Sequence, residues 1–265
     1  MKENIVVYHY EQDVLNLTNP VMIVGLPGVG HVGKFVADHL VEVLESKKIV
    51  DIYSAHFPPQ VMVEKDSTIK LVGNQIYVAR AGHLDLLILV GDSQSSDTSG
   101  HYNLCELYIN IAAKFGVRRI FTLGGYPTGM VNSEDYVIGA VNNPLMIDNL
   151  SQKGIEFKPS EPPGGIVGAS GLILAFSQFC GIDAACLMGT TSGYIADPKS
   201  SKILLEKLSN ILEIDVDSTA LDEKIREMEK IVEKLKDSAV GEDGDYDEGS
   251  GPYEPSADDD LVYFG

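Results

Sequence analysis

The sequence predicts an α/β protein: a three-layer α/β/α sandwich whose mixed sheet carries an antiparallel meander, followed by a C-terminal helix and a disordered acidic tail. Three observations carry that prediction. Asp85–Val90 (DLLILV) is almost continuously apolar, as a central strand covered on both faces must be, and such runs alternate with segments of helical spacing. Between residues 60 and 81, three consecutive β-rich runs instead alternate apolar and polar positions across short turns. After Asp237 the composition shifts sharply to Asp, Glu, Gly, Ser and Pro, too polar to bury a core. The divisions are residues 1–215 for the domain, 216–237 for the helix and 238–265 for the tail.

Taken in order, residues 4–8 and 20–26 read as strands separated by a polar stretch ending at Asn19-Pro20. A glycine-rich turn follows. Phe35, Val36, Leu40, Val41 and Leu44 then recur at helical spacing, in a helix that ends near Ser46–Lys48. Ile49–Tyr53 is a short strand. His56-Phe57-Pro58-Pro59 excludes a helix after it, because paired prolines remove backbone donors and push their neighbours to extended conformations. The runs QVMVEK, TIKLVGN and QIYVARAG form the meander, with turns at Lys65-Asp66-Ser67 and Gly73-Asn74. After the Asp85–Val90 strand comes a helix from about Gly100 to Phe115, then a buried strand at Val117–Leu123. Asp135–Val141 is a strand, and Asn142-Asn143-Pro144 opens a helix to about Lys153. A proline- and glycine-rich loop, Lys158–Gly165, leads to an apolar helix at Gly168–Cys180, and Ala184–Gly189 is the last central strand. Asp197-Pro198 supplies an N-cap and a first-turn proline for a helix to Leu212. Leu221, Ile225, Met228, Val232 and Leu235 then mark a narrow apolar seam, which fits a helix docked on its own domain as well as a contact between subunits.

Composition narrows the function classes. The net charge of −19 argues against nucleic acid or an anionic membrane as partner. All 20 basic residues and 30 of the 39 acidic ones lie in residues 1–237, so the tail holds nine acids and no base. No run is long and apolar enough to span a bilayer, and the N-terminal residues lack the pattern of a signal peptide. The three cysteines, Cys105, Cys180 and Cys186, have no metal-ligand spacing and fit a reducing, cytoplasmic setting.

Candidate chemistry clusters in two places. Gly28-Val29-Gly30-His31-Val32-Gly33 satisfies the GxGxxG fingerprint after a strand and before a helix, with Asp51 about the right distance on. A dinucleotide unit should continue with a helix and a third parallel strand, and the proline pair and meander interrupt it. The same glycines serve a tight strand-to-helix turn, and Lys34 is the only base beside it. Gly91-Asp92-Ser93 resembles the nucleophile turn of GDS-type esterases. The late histidine such enzymes need is missing, because all six histidines lie within the first 101 residues. His101, with Asp92 or Asp97 orienting it, is the remaining acid–base candidate. No metal site is expected.

Several blocks together resemble the archaeal homologues of the proteasome assembly chaperones. They are VGLPGVGHVGK, LILVGDSQ, IFTLGGYPTG, GIVGASGLIL and TSGYIADPKSSKILLEKL, spanning about residues 21–212. The resemblance implies a phosphorylase/hydrolase-like fold without catalysis, no cofactor, a homo-oligomer, and action on the proteasome core particle. It also implies that the chain's last residues, Leu261, Val262, Tyr263, Phe264 and Gly265, bind pockets between α-subunits. Such proteins end in a hydrophobic residue, a tyrosine and any final residue. Here Tyr263 takes the hydrophobic place and Phe264 the tyrosine place, without the hydroxyl.

The expected function is therefore a non-enzymatic, oligomeric proteasome assembly chaperone or activator docking on the core-particle α-ring through its C-terminal tails. The alternative is an enzyme that uses the Gly28–Gly33 turn for a nucleotide or phosphorylated ligand, with Asp92 and His101 in its cleft. A scaffold recruiting a partner through the Leu221–Leu235 helix is a third reading.

Overall fold

The structure, a computed structural model, describes residues 5–9, 17–129 and 135–227. The seam positions Met228, Val232 and Leu235, the acidic tail and its Leu261–Gly265 end lie outside the described residues. The strands are β1 (Ile5–His9), β2 (Val21–Gly25), β3 (Lys47–Ser54), β4 (Val61–Val63), β5 (Ile69–Leu71), β6 (Asn74–Ala81), β7 (Leu84–Gly91), β8 (Arg119–Pro127), β9 (Val137–Val141) and β10 (Asp183–Thr191). The helices are α1 (Val32–Val43), α2 (Thr98–Lys114), α3 (Ile147–Gln152), α4 (Ala169–Phe179) and α5 (Pro198–Leu212). Residues 219–227 are helical as well.

Eight strands form one mixed sheet in the order β1-β3-β6-β7-β2-β8-β10-β9. Its centre, β7-β2-β8-β10, is parallel, whereas β1, β6 and β9 pair antiparallel with their neighbours. The parallel centre is where the apolar runs fall. All five residues of β2 and all eight of β7 are buried, as strands covered by helices on both faces require. Alternate side chains feed two cores. Met22, Val24, Leu87 and Leu89 pack with α2 and α4 on one face. Val21, Ile23, Leu86, Ile88 and Val90 pack with α1 and α5 on the other. That is the three-layer sandwich.

The order explains why the glycine fingerprint does not open a dinucleotide unit. In such a unit the strand after the first helix lies beside the first strand. Here β3 is separated from β2 by β6 and β7. Asp51, the acid of the fingerprint, is buried in β3 with the Lys48 ammonium 3.1 Å from its carboxylate.

Two local expectations are corrected. The three runs after residue 60 are not one meander. β4 and β5 pair only with each other as strands of a separate hairpin, while β6 enters the main sheet between β3 and β7. The chain crosses the end of β3 at Gly73, where a Cβ would lie 2.9 Å from the Ile52 carbonyl oxygen. That tight crossing redirects the backbone before β6 begins. The first helix also stops at Val43 rather than near residue 46, because Glu45 turns into the left-handed region (φ 47°) and β3 already starts at Lys47. The α5 boundaries fall as read: the Asp197 carboxylate accepts from the Ser200 N–H at 2.9 Å, with Pro198 in the first turn.

Candidate functional site

In open α/β sheets, ligands bind beyond the carboxyl ends of the parallel strands. Here those ends bring together the glycine turn after β2, the loop after β7, the end of β8, the loop after β10 and the N-terminus of α4. The chain fills this region with itself. The Gly30 carbonyl accepts from the Asp197 N–H at 2.8 Å. Gln94 bridges two elements, donating from Nε2 to the Pro27 carbonyl at 2.6 Å and accepting at Oε1 from the Ala169 N–H at 3.0 Å. A Cβ at Gly125 would sit 2.4 Å from the Val29 carbonyl oxygen. The void left between Leu26, Gln94, His101, Cys105 and Ala169 measures about 10 Å³, room for one water at most.

The glycines of the turn are consumed by this packing. A Cβ at Gly33 would lie 2.1 Å from the Leu123 carbonyl oxygen, so the third glycine seats α1 against β8. Gly30 has φ +62° and faces the Thr191 side chain. Gly28, the first glycine of the fingerprint, is extended, and the nearest atom to a Cβ there is 3.9 Å away. Lys34 donates to the Gly91 carbonyl at 3.0 Å and pairs with Asp38 at 2.9 Å. The one cation of the turn therefore faces the domain's own acceptors.

The second cluster resolves differently from the sequence expectation. Asp92 pairs with Lys70 at 3.0 Å and accepts from the Gly73 N–H at 3.2 Å, tying the β4–β5 hairpin to the end of β7. Asp97 is the N-cap of α2, accepting from the Gly100 N–H at 2.8 Å. Its imidazole partner is His56, not His101, with 2.7 Å between Nδ1 and Oδ2. The Ser99 hydroxyl, the Gly100 N–H and His56 together hold the Asp97 carboxyl well below the usual carboxylate range. Ser95 Oγ donates to the Asp97 carbonyl at 2.8 Å, a loop-closing bond rather than a nucleophile–base contact. Burial pushes the Cys105 and Cys186 thiols up to about 12 and about 11, which leaves both protonated and inert. Among the described residues no group of His, Cys, Asp and Glu is arranged to hold a metal ion.

Sequence reasoning missed a third constellation, at the root of the C-terminal helix. His39, buried on α1, lies with Nε2 2.6 Å from the Asp217 carbonyl oxygen. A carbonyl only accepts, so Nε2 carries the proton. Asp217 in turn caps the next helix, accepting from the Thr219 N–H at 2.9 Å. Leu221, the first seam residue, is fully buried against the α1/α5 core, and Lys202 pairs with Asp222 at 2.6 Å. The signal for His39 was its place on the apolar stripe of α1, between Val36 and Leu40.

This architecture matches known proteins along nearly its whole length. The chain matches the PAC2 family over residues 22–236. Protein MJ1210 of Methanocaldococcus jannaschii is 36% identical over 225 residues, covering 85% of this chain and 86% of that protein. The crystal structure of Pyrococcus furiosus PbaB, an archaeal proteasome activator, superposes with a TM-score of 0.81 at 35% identity, covering 88% of this chain and 99% of that one. Pyrococcus furiosus PbaA, an archaeal homologue of proteasome-assembly chaperone, shares the fold at a TM-score of 0.74 and 20% identity, over 90% and 94% of the two chains. With a family match that covers both cores and the root of the C-terminal helix, the chain belongs to the PAC2 family.

Proposed function

We propose that this PAC2 protein is a non-enzymatic proteasome assembly chaperone or activator, acting as a homo-oligomer in the cytoplasm. The observation that carries the reading is the likeness to PbaB, an archaeal proteasome activator, over 99% of that chain at 35% identity. The closed crevice supports it. A catalytic cleft needs room for a substrate beside its reacting groups, and here the polar groups at the strand ends are partnered by the domain itself.

Docking runs through the C-terminal tails onto the α-subunits of the core particle. Leu261, Val262, Tyr263 and Phe264 follow a stretch dense in acids, so a soluble tether presents an apolar end. One such end binds weakly because it is ordered on binding, and several on one oligomer raise avidity by about 10²–10⁴. The test compares the full chain with a version ending at Asp260, measuring binding to a cognate core particle and stimulation of its peptidase activity. The full chain binds and the shortened one loses most of its binding. Equal behaviour of the two removes the tail from the mechanism, and no binding by either removes the proteasome.

A further inference from the structure

α4 is apolar on two sides. Ala169, Ile173, Leu174 and Ser177 face the sheet and are buried. Leu172, Ala175, Phe176 and Phe179 recur at i, i+3, i+4 and i+7 and form a second stripe, with Ala175 and Phe179 exposed and Leu172 and Phe176 half-buried against the α2/α4 core. Phe179 is 83% exposed, and Val167, just before the helix, is 81% exposed. Tyr102 of α2, itself 51% exposed, extends the stripe by stacking obliquely on Phe176 with ring centroids 5.9 Å apart. A groove lined by Glu161, Pro162, Ile166, Gly171 and Leu172 continues it. A helix that is hydrophobic all round is a buried helix. The outer faces of α1 and α5 differ, carrying Lys34, Asp38 and Glu42, and Lys199, Lys202 and Glu206.

Charge selects what covers this face. Residues 162–182 carry no charged side chain, in a chain of net charge −19. Two copies of such an acidic protein repel one another over most approaches, and this face lets them meet without like-charge contact. Apart from Glu161 on the wall of the groove, whose carboxylate accepts from the Tyr126 hydroxyl, a basic or acidic partner finds nothing on it to pair with. The tail segment Leu261–Phe264 is a poor occupant, because Asp258, Asp259 and Asp260 directly before it would be drawn onto a surface without a cation. The face is, however, complementary to itself, as a two-fold contact requires. At roughly 150–250 Å² per buried aromatic side chain, Phe179 and Tyr102 together offer on the order of 200–340 Å², under half of what each partner of a standard interface buries. The stripe is thus the apolar centre of an interface, with the groove and its loop as the rim.

We propose that the outer stripe of α4 is the surface through which two copies of this chain pair, the α4 helices packing across a two-fold axis. This rests on the homo-oligomer part of the proposed function and names the contact that builds it. Cys180, exposed at the end of α4, reports on the face, since Cys105 and Cys186 are buried. The experiment measures the solution mass of the full chain and of the Ala175→Glu/Phe179→Glu variant by light scattering, alongside the rate at which Cys180 reacts with a thiol reagent in each. The native chain is a multimer with a slow Cys180; the variant keeps its circular dichroism, falls to half the mass or less, and reacts several-fold faster. An unchanged mass and rate in the variant, with the native chain multimeric, overturns the α4 contact and leaves the homo-oligomer standing. A native chain that is monomeric at all concentrations overturns both. A Cys180 that speeds up in the version ending at Asp260, at unchanged mass, means that the tail covers α4 and overturns pairing there. Should the double variant fail to fold, the Cys180 rates of the native and shortened chains, followed through dilution to monomer, decide the same question.

Discussion

Substituting alanine for the third glycine of the turn separates its packing role from a ligand-binding one. In Gly33→Ala the new methyl group starts 2.1 Å from the Leu123 carbonyl oxygen and 2.4 Å from its carbon. Ordinary contact begins near 3.4 Å, so α1 must retreat from β8 by more than 1 Å, and no flexible side chain stands there to yield. α1 holds Val32, Val36 and Leu40 fully buried against the sheet. Burying three such side chains contributes about 4.5–9 kcal/mol, and a gap of 0.5–1 Å forfeits about a quarter to a half of the contact energy. The resulting loss is about 1–4 kcal/mol, and strain in the backbone puts it near 3. For a body of this size that lowers Tm by roughly 6–12 °C. Gly28→Ala is the control, with an extended backbone and open space around the new Cβ, and should stay within about 0.5 kcal/mol of the native chain. Urea denaturation of the three proteins measures both values. A Gly33→Ala chain as stable as the native one, or a Gly28→Ala chain as damaged as Gly33→Ala, refutes the packing account of the fingerprint.

Three further outcomes follow from the described geometry. Leu221→Ala leaves a hole beside α1 and α5 and should cost about 2–4 kcal/mol, read as faster amide exchange over residues 219–227 before global unfolding; protection equal to the native chain would show that the helix root is held elsewhere. Asp97, whose carboxyl is held below its ordinary value of 3.8, contributes stability that is present above that value and lost as pH falls through the lower native one. Asp97→Asn should therefore be less stable than the native chain at neutral pH and converge with it at strongly acid pH, and parallel urea-midpoint curves would contradict the assignment. Cys105 and Cys186 should stay unreactive toward a thiol reagent at neutral pH until the protein unfolds, because burial keeps both protonated; native-state titration of more than one thiol would overturn this.

The residues legible in the sequence are those whose structure is set by neighbours a few positions away. β7 announces itself because both of its faces are apolar, and α5 because Asp197-Pro198 satisfies its first-turn donors locally. Sheet order is a different kind of fact. Nothing within TIKLVGNQIYVARAG says that its first half stays in an isolated hairpin while its second half joins β3 and β7. That depends on the crossing at Gly73, made against Ile52 more than 20 positions earlier. Site geometry failed for the same reason. Asp97 was within reach of His101 along the helix, yet it took His56 from 41 residues away. Gln94, which closes the crevice, reaches 67 residues back to Pro27 and 75 forward to Ala169.

Under the proposed function, the closed crevice and the fixed helix root answer different needs. For a protein acting as proposed, through its terminal segments, a substrate cavity has no use, and the glycine turn can then be given over to packing without loss. Those segments act together only if their starting points are held at a set distance, because effective concentration collapses when a linker cannot span its sites. Two contacts fix the start of the C-terminal helix. The His39 Nε2–H donates to the Asp217 carbonyl, and Leu221 is buried against the α1/α5 core two residues after Thr219, whose N–H the Asp217 carboxylate accepts from. Both sit on the α1/α5 face, whereas the uncharged stripe of α4 lies on the opposite layer with α2. The proposed pairing through α4 would therefore leave the α1/α5 layer to carry the helix roots, so that a contact joining copies would not compete with the proposed docking segments.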